Sequence, residues 1–272
     1  MNWRSIMANT YWQKQTYEIA LFPELLWSKP ENKNQAGKLL IIGGNIHGFS
    51  APANAYNFAT KSGIGTARIL LPDKLKRTIG RVLEMGEYAP STPSGSFSQK
   101  ALDEVLSQAS WADGVLLAGD FGKNSETAIL LEKFLDKYGG PVALTNDAID
   151  FVIENPDSIK NRPNTTVVLS IYHLQKLVTK LGYPQPISLE MPLNRLVEVL
   201  NDFSQTYSFA IVVKQYDAIF VATAGKVSST AVQPNNSNWQ TEVAARAIVW
   251  CIQNTEKPFE SLTTAIFETG NK

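Results

Sequence analysis

An apolar run that leads into a glycine turn and a helix start constrains the fold of this chain more than any other feature. Residues 38–52 have the sequence Lys-Leu-Leu-Ile-Ile-Gly-Gly-Asn-Ile-His-Gly-Phe-Ser-Ala-Pro. The apolar part, residues 39–42, is too short for a helix and predicts a buried parallel strand. We expect Gly43 and Gly44 to form a tight turn, because glycine adopts backbone angles that other residues resist. Ser50 is a favoured residue type for capping the helix that follows.

A second strand is predicted at residues 66–71, after a helix that we expect to stop at residues 62–65. The segment is therefore a predicted βαβ unit with a glycine turn at the carboxyl end of its first strand, where ligands commonly bind in open α/β sheets. Two interpretations of the turn stay open: contact with a nucleotide or another anionic ligand, and a tight connection that binds nothing. The glycines do not match Gly-x-Gly-x-x-Gly and no acidic residue ends the second strand, which disfavours a dinucleotide fold of the dehydrogenase type.

Composition disfavours several classes of protein. The 272 residues are enough for one large domain or two small ones. Lys plus Arg equals Asp plus Glu, at 25 each, and no basic run stands out, so nucleic acid is not an expected partner. The single cysteine, Cys251, excludes an internal disulfide, and no His, Cys or Asp cluster has the spacing of a structural metal site. Without an apolar signal core or a segment long enough to span a membrane, we expect a cytoplasmic protein with no membrane partner.

Short apolar strands alternate with helices along most of the chain. Further strands are predicted at residues 114–118, 142–144, 166–169 and 210–214, and helices near residues 73, 98–109, 125–138 and 193–203. Polar or glycine residues follow the strand ends, and residues 88–96 are expected to be a loop. The pattern predicts an α/β protein with three layers, in which a mostly parallel sheet has helices on both faces and a site at the strand tips. Residues 218–222 and 226–232 predict an antiparallel hairpin on the sheet edge.

The chain is expected to form a single domain over residues 38–272, since no repeat or linker interrupts it. The preceding segment, residues 1–37, is rich in aromatic residues, among them Trp3, Trp12 and Trp27. We expect its first 27 residues to form helix and turn that pack on the main body or on another subunit. Ordinary packing is favoured over an aromatic binding stripe.

The order of motifs from about Lys33 onward resembles that of the ATP- or ADP-dependent NAD(P)H-hydrate dehydratases, a family of the ribokinase-like superfamily. Residues 43–45, 50–52 and 62–65 are similar to the family's opening Gly-Gly-Ser, Gly-Ala-Pro and Ser-Gly-Ala-Gly. Residues 118–122 stand where the family has Gly-Pro-Gly-Leu-Gly, residues 147–149 resemble the end of Asp-Ala-Asp-Ala-Leu, and residues 213–214 resemble the start of Leu-Lys-Gly. The resemblance implies a ribokinase-like α/β fold.

The resemblance also implies an activity, that of a nucleotide-dependent hydro-lyase in nicotinamide nucleotide repair. ATP or ADP, with Mg²⁺, would donate a phosphoryl group to the hydroxyl of the hydrated nicotinamide ring, and phosphate would then leave. The implied partners are the nucleotide and NAD(P)H hydrate, and the implied assembly is a homo-oligomer. The residues expected at the substrate are Gly44, Asn45, His47, Gly119, Asp120, Asp147 and His173. The residues expected at the nucleotide are Lys214, Gln240 and Thr241.

This sequence departs from the family in the motif that carries the chemistry. In the family, the aspartate of a Gly-Ser-Gly-Asp motif acts as base and the amides of the motif stabilise charge on the transferring phosphoryl group. The corresponding residues 239–245 are Trp-Gln-Thr-Glu-Val-Ala-Ala, so Glu242 is the candidate for the base. The alternative is that Glu242 is an acid in the first turn of a helix, where the dipole favours negative charge. We favour this alternative because the glycines that phosphate binding normally uses are absent.

Each of the other candidates also has a structural alternative. Lys214 meets a phosphate or is a solvated lysine, and Asp120 and Asp147 contact substrate or magnesium or cap a helix. His173 lies one place along from the histidine of the family's Thr-Pro-His-Pro-Gly-Glu, whose acid is replaced by Gln175, and a structural role is favoured for it. His47 is expected at the rim of the site.

Three hypotheses of function follow from the sequence. The first is an NAD(P)H-hydrate dehydratase, active or altered. The second is a binding protein that keeps a nucleotide or dinucleotide pocket on the same fold but has lost turnover. The third is a small-molecule kinase of the wider superfamily, which is disfavoured because it too would need the missing glycine-aspartate motif.

Overall fold

The computed structural model describes residues 11–79, 86–232 and 238–270. Within these ranges ten strands form one sheet, and eleven α-helices surround it. The strands are β1 (Trp12–Gln15), β2 (Lys38–Gly43), β3 (Thr66–Pro72), β4 (Gly86–Ala89), β5 (Gly114–Gly119), β6 (Val142–Thr145), β7 (Thr165–Ser170), β8 (Ala210–Gln215), β9 (Ala218–Thr223) and β10 (Lys226–Ala231). The helices are α1 (Pro23–Trp27), α2 (Ser50–Lys61), α3 (Lys76–Ile79), α4 (Leu102–Trp111), α5 (Ser125–Lys137), α6 (Ala148–Glu154), α7 (Asp157–Lys160), α8 (Ile171–Lys180), α9 (Leu193–Thr206), α10 (Trp239–Gln253) and α11 (Pro258–Gly270).

The strand order in the sheet is β1-β10-β9-β8-β7-β6-β5-β2-β3-β4. In this order, neighbouring strands from β8 through β2 to β4 pair in parallel. β9 pairs antiparallel with both β8 and β10. The predicted hairpin and the mostly parallel sheet are therefore confirmed. The chain runs outward from β2 to β4 and then returns to the other side of β2 as β5, so β2 and β5 flank a topological switch point. Such a point is where open α/β sheets bind ligands.

Each face of the sheet carries its own apolar core. On one face, α9 packs through buried side chains at helical spacing, Leu196, Leu200 and Phe203. On the other face, α10 lies across β5, β6 and β7 and is covered in turn by α2 and α11. Residues 241–250 of α10 are all buried, because the sheet, α2 and α11 pack around the helix. This enclosed helix starts at the carboxyl edge of the sheet and places its first turn beside the strand tips.

The N-terminal segment differs from the expectation of helix and turn alone. Residues Trp12–Gln15 form a strand, β1, that pairs in parallel with β10 beyond the predicted hairpin. Val227 donates its amide to the carbonyl of Tyr11 at 2.7 Å, and the Trp12 indole donates to Ser229 Oγ at 2.9 Å. The strand forms because the outer edge of β10 would otherwise leave its backbone groups unpaired. Trp3 lies outside the described residues.

The region after β3 also differs from the prediction. The helix expected near residue 73 is a short 3₁₀ turn followed by α3. Part of the expected loop 88–96 belongs to β4, which pairs with β3 at the far edge of the sheet. β1 and β4 are both strands that pair with an outer strand of the sheet although neither has the sequence of a buried apolar strand. Within the described ranges, no helix has the length and apolar character needed to cross a bilayer.

Candidate functional site

The tips of β2 and β5 come into close contact at two glycines. The amide of Gly44 donates to the carbonyl of Gly119 at 2.9 Å. A Cβ placed on Gly43 would lie 2.4 Å from the same carbonyl oxygen, so this approach requires glycine. Gly119 itself has φ of +110°, a conformation that L side chains rarely adopt. The predicted glycine turn therefore brings the ends of the two switch-point strands together.

Asp120 follows β5 and caps the helix that follows β2. Its Oδ2 accepts a hydrogen bond from the amide of Ala51 at 2.7 Å and another from Ser50 Oγ at 3.2 Å. Ser50 was expected to cap α2, but it is the first residue of the helix. The N-cap residue is Phe49, whose side chain makes no capping hydrogen bond. The acid from the neighbouring strand tip supplies the negative charge that the start of α2 favours.

Asn45 holds the rest of the turn in place. Its Nδ2 donates to the backbone carbonyl of Asp120 at 2.6 Å, and its Oδ1 accepts from the amide of His47 at 2.7 Å. The amide of Ile46 donates to the carbonyl of Gly95 at 3.0 Å. His47 is exposed, and the turn places it at the rim. Gly44 and Asn45 thus hold the turn after β2 against the tip of β5.

Asn146 connects three elements at the tip of β6. It has φ of +54°, in the left-handed region that asparagine tolerates better than most residues. Its Nδ2 donates to the carbonyl of Ala118 at 2.7 Å and to Oγ1 of Thr241 at 2.9 Å. Because Ala118 lies in β5 and Thr241 in the first turn of α10, this one amide fixes the helix start against the strand tips.

Asp147 presents the most perturbed carboxylate of the site. Its Oδ2 accepts from the amide of Gly122 at 3.0 Å, so the side chain reaches across to the β5 turn instead of capping α6. Burial raises the pKa of Asp147, the nearby carboxylates of Asp120 and Asp150 raise it further, and the Gly122 amide opposes the shift. Oδ1 is buried and has no hydrogen-bond partner among the described residues. A buried acceptor without a partner is costly unless a ligand supplies one.

These residues surround a small cleft, which we call the strand-tip cleft. It has a volume of about 290 Å³ and is lined by Ser50, Ala51, Asn54, Asp120, Asn146, Asp147, Asn238 and Thr241. Among its described lining residues the carboxylates are Asp120 and Asp147, and none is a lysine or an arginine. Among the residues that the structure describes, no group of three or more His, Cys, Asp or Glu is arranged to hold a metal ion. Asp147 also lines a larger groove of about 760 Å³ between α5 and α6.

The residues expected at the nucleotide lie along the same edge of the sheet, beyond Asn146. Lys214 is paired in register with Ser170 at the tips of β8 and β7. Its Nζ lies 5.9 Å from the centre of the Trp239 ring, at the start of α10. Gln240 Nε2 donates to the carbonyl of Val168 at 3.5 Å. The structure therefore brings Lys214, Gln240 and Thr241 to the start of one helix.

His173 lies apart from the strand-tip cleft, in the first turn of α8. Its Nδ1 lies 3.0 Å from Ser170 Oγ, and its Nε2 lies 3.5 Å from Oδ1 of Asp150. Ser170 Oγ also accepts from the His173 amide at 3.3 Å and so caps the helix. Burial lowers the pKa of His173, and Asp150 opposes that shift. These contacts hold the start of α8 through Ser170 and place it against Asp150 of α6.

Glu242 faces away from the strand-tip cleft. Its carboxylate has no exposed surface, and Oε1 accepts from Arg246 at 3.0 Å from Nη2 and 3.3 Å from Nε. Nη1 of Arg246 lies 3.6 Å from Glu268, which also accepts from the Trp250 indole at 2.8 Å and pairs with Lys29. This network lies on the wall of a different cavity, of about 570 Å³. We call it the α10 cavity, and it is lined by Leu26, Phe58, Lys61, Glu242, Arg246, Phe267 and Glu268.

Three residues of the cleft were not singled out from the sequence: Asn54, Asn146 and Asn238. Asn146 was recognisable only as a polar residue after a strand. The informative pattern was that an Asn or Asp directly follows the ends of both β5 and β6, since these residue types accept the left-handed conformation that Asp120 and Asn146 adopt.

Comparison with known proteins gives the site its context. No protein-family model matches the chain. It is 24% identical over 198 residues to the bifunctional NAD(P)H-hydrate repair enzyme Nnr of Dictyoglomus turgidum, a match that covers 71% of this chain and 37% of the relative. The chain therefore spans little more than a third of that relative's length.

Solved structures share the fold. A ribokinase-like superfamily protein from Enterococcus faecalis V583 superposes with a TM-score of 0.73 at 14% identity, over 96% of this chain and 87% of the other. The ADP/ATP-dependent NAD(P)H-hydrate dehydratase from Bacillus subtilis, co-crystallised with ATP and Mg²⁺, superposes with a TM-score of 0.61 at 13% identity, over 89% and 81%. The chain thus has a ribokinase-like α/β fold and is similar in sequence to an NAD(P)H-hydrate repair enzyme.

Proposed function

We propose that this chain is an NAD(P)H-hydrate dehydratase-like protein that binds a nucleotide-containing ligand along the carboxyl edge of its sheet, and that Glu242 supports the fold instead of acting as a base. The observation that carries the proposal is the position of the Glu242 carboxylate, which is buried against Arg246 in the α10 cavity while the polar strand-tip cleft lies on the other side of the helix start. A base must reach the proton that it removes.

The residues at the carboxyl edge of the sheet form two groups that suit different parts of a nucleotide. Lys214 is a cation at the tip of β8, beside the aromatic ring of Trp239, and it would meet the phosphates. The strand-tip cleft offers the Asp120 and Asp147 carboxylates and the Thr241 hydroxyl instead, and these groups suit hydroxyls or a cation. ATP or ADP with Mg²⁺ is the expected ligand pair, because Mg²⁺ is usually bound by one or two carboxylates together with substrate phosphates. The Bacillus subtilis neighbour of the same fold was crystallised with ATP and Mg²⁺.

Calorimetric titration tests the proposed binding. ATP, ADP and NADH would be titrated separately into the protein, with and without Mg²⁺, and the unfolding temperature would be followed on the same samples. We expect saturable binding of at least one nucleotide, with the matching rise in unfolding temperature that a ligand of the native state causes. No binding of any of the three at millimolar concentration would refute the proposal.

A second candidate function, retained dehydratase turnover, is favoured by one observation. Asp147 combines a raised pKa with an unpartnered buried oxygen in the strand-tip cleft, and perturbed carboxylates of this kind serve as acids and bases in enzymes. The two candidates separate in an assay of NADH hydrate with nucleotide and Mg²⁺. Turnover that Asp147→Asn abolishes and Glu242→Gln preserves would establish this second function.

A further inference from the structure

The groove between α5 and α6 is larger than the strand-tip cleft, and the proposed nucleotide site leaves it empty. We call it the α5–α6 groove, and its volume of about 760 Å³ compares with about 290 Å³ for the cleft. Its floor consists of Leu117 of β5 and Leu144 of β6, which belong to the apolar core of that face of the sheet. The groove therefore passes between the helices to the sheet, and its size lies in the range of small-molecule sites.

The walls of the groove are mostly apolar. α5 contributes Ala128, Leu131 and Leu135, which are three or four residues apart and so lie on one face of the helix. α6 contributes Ala148 and Val152, one turn apart, from the other side. Such walls suit the apolar body of a ligand, because apolar surface gains free energy when it leaves water.

The charged residues along the groove are mostly acidic. Its lining includes the carboxylates of Glu132, Asp147, Asp150 and Glu154, and the lysine among the described lining residues is Lys123. A concave site lined by one sign of charge attracts ligands of the opposite sign, because its low-dielectric walls focus the field. The lining therefore favours a ligand that carries positive charge and disfavours an anion.

Asp150 is the acid best placed to bind that charge. Its side chain is 56% exposed, and its neighbour on α8 is His173, whose Nε2 lies 3.5 Å from Oδ1 of Asp150. Burial lowers the pKa of His173 and Asp150 opposes that shift, so the imidazole offsets little of the negative charge at pH 7. The nearby cations on α8 are Lys176 and Lys180, which are exposed and do not line the groove, and Lys180 pairs with Glu154 at 3.1 Å.

We propose that the α5–α6 groove binds a small molecule that combines an apolar body with one protonated amine. The apolar body would lie against the floor and walls of the groove, and the ammonium group would donate a hydrogen bond to the Asp150 carboxylate. This ligand differs from a nucleotide in the sign of its charge and in its position. Among the described residues, Asp147 is the one that lines both the groove and the strand-tip cleft.

Fluorescence titration of the full chain with dansylcadaverine tests the site. This probe carries a primary amine on an alkyl chain, and its aromatic dansyl group fluoresces more strongly in apolar surroundings. We expect saturable binding with a Kd of about 10–100 μM, the range for a ligand of this size. The N-acetylated probe has the same body without the charge and should bind about fivefold more weakly. No binding of dansylcadaverine at about 1 mM, or equal affinity for the two probes, would overturn the proposal.

Two substitutions test the position of the bound probe. Ala128→Phe would fill the groove from α5 and should weaken binding of dansylcadaverine at least about tenfold. Ile129→Phe is the matched control, because Ile129 is the next residue of α5, is exposed at 39% and does not line the groove. Asp150→Asn should reduce the affinity for the amine to that for the acetylated probe. Unfolding curves would show that each variant is folded, and parental affinity in either Ala128→Phe or Asp150→Asn would overturn the proposal.

Titration in the presence of ATP and Mg²⁺ separates this site from the nucleotide site. We expect dansylcadaverine to bind with the same affinity whether or not the nucleotide is present. Competitive displacement of the probe by ATP would show that the amine occupies the nucleotide site, and the proposal would be wrong. A protein that binds the amine in the groove but binds no nucleotide would refute the proposed function and leave this second site established.

Discussion

Glu242 and Arg246 are one helical turn apart in α10, and the carboxylate accepts hydrogen bonds from two nitrogens of the guanidinium, at 3.0 and 3.3 Å. Neither side chain has more than 10% of its surface exposed. Glu242 stands where the resemblance placed the family's catalytic aspartate, and its carboxylate is buried against Arg246, as the favoured structural alternative implied. Because the Glu242 carboxylate is bound to Arg246, we expect it to stabilise the fold, and substitution of its partner tests this role.

Removal of the arginine should destabilise the protein strongly. Arg246→Met would leave the Glu242 carboxylate buried without its cation, and such a loss costs about 3 kcal/mol of unfolding free energy. Arg195→Met is the matched control, because Arg195 pairs with Glu198 on the exposed surface of α9 at 2.9 Å. An exposed pair of this kind contributes about 0.5 kcal/mol. Urea unfolding of both variants measures the two losses of unfolding free energy. Equal losses would show that the buried pair contributes no more stability than the exposed pair.

Asp147 should reduce stability at neutral pH. Its folded-state pKa is raised above the usual value of 3.8, so the folded protein binds the proton more tightly than the unfolded chain does. The charged form therefore costs folding free energy above the folded pKa, and that cost disappears as the pH falls below about 3.8. Asp147→Asn should be more stable than the parent at pH 7, because the amide oxygen can still accept from Gly122. The advantage should shrink steadily towards pH 4.

Urea unfolding at pH 7, 5.5 and 4 checks this dependence on Asp147. Asp136→Asn, an exposed change on α5, serves as control and should show no such trend. A stability difference between parent and Asp147→Asn that is independent of pH would contradict the expectation.

Gly119 should tolerate no side chain. A Cβ at this position would lie 2.7 Å from the Cβ of Asn146 and 3.1 Å from Oδ1 of Asp147, and φ of +110° is itself strained for alanine. Gly119→Ala should therefore cost about 2 kcal/mol and weaken ligand binding through the displaced cleft residues. Gly139→Ala is the control, since nothing lies within 4 Å of a Cβ there. Thermal unfolding and nucleotide titration of both variants check this prediction, which fails if the two variants behave alike.

The sequence predicts the inner part of this fold better than its edges. Strands β2 and β5 are apolar runs because both of their faces are buried, and this pattern is visible without any partner. β1 and β4 have the sequences Trp-Gln-Lys-Gln and Gly-Glu-Tyr-Ala, which resemble loops. They become strands because they meet the free edges of β10 and β3, and such non-local pairing depends on the assembled sheet.

The same distinction applies to the candidate site. Polar residues after the ends of β5 and β6 indicated a cluster at the strand tips, and Asp120 and Asp147 do lie together there. The four-residue spacing of Glu242 and Arg246 was also visible in the sequence. The side of α10 on which their carboxylate and guanidinium meet depends on how α2 and α11 cover the helix, which no local pattern specifies.

Lys214 should contribute to nucleotide affinity. Replacement by alanine removes a cation from the edge of the sheet beside Trp239, and we expect about a tenfold loss in affinity, or about 1.4 kcal/mol. Lys137→Ala, on the exposed end of α5, should leave the affinity unchanged. Calorimetric titration compares the two variants. Equal affinity of Lys214→Ala and the parent would show that the phosphates do not bind at the tip of β8.

The most direct measurement is a turnover assay on the parent protein and on Glu242→Gln. Each would be incubated with NADH hydrate, Mg²⁺ and either ATP or ADP while the return of NADH absorbance is followed. Nucleotide binding would be confirmed on the same samples from the unfolding temperature. We expect that nucleotide stabilises both proteins and that Glu242→Gln changes no rate. Nucleotide-dependent NADH formation by the parent that disappears in Glu242→Gln would contradict it and would make Glu242 the base.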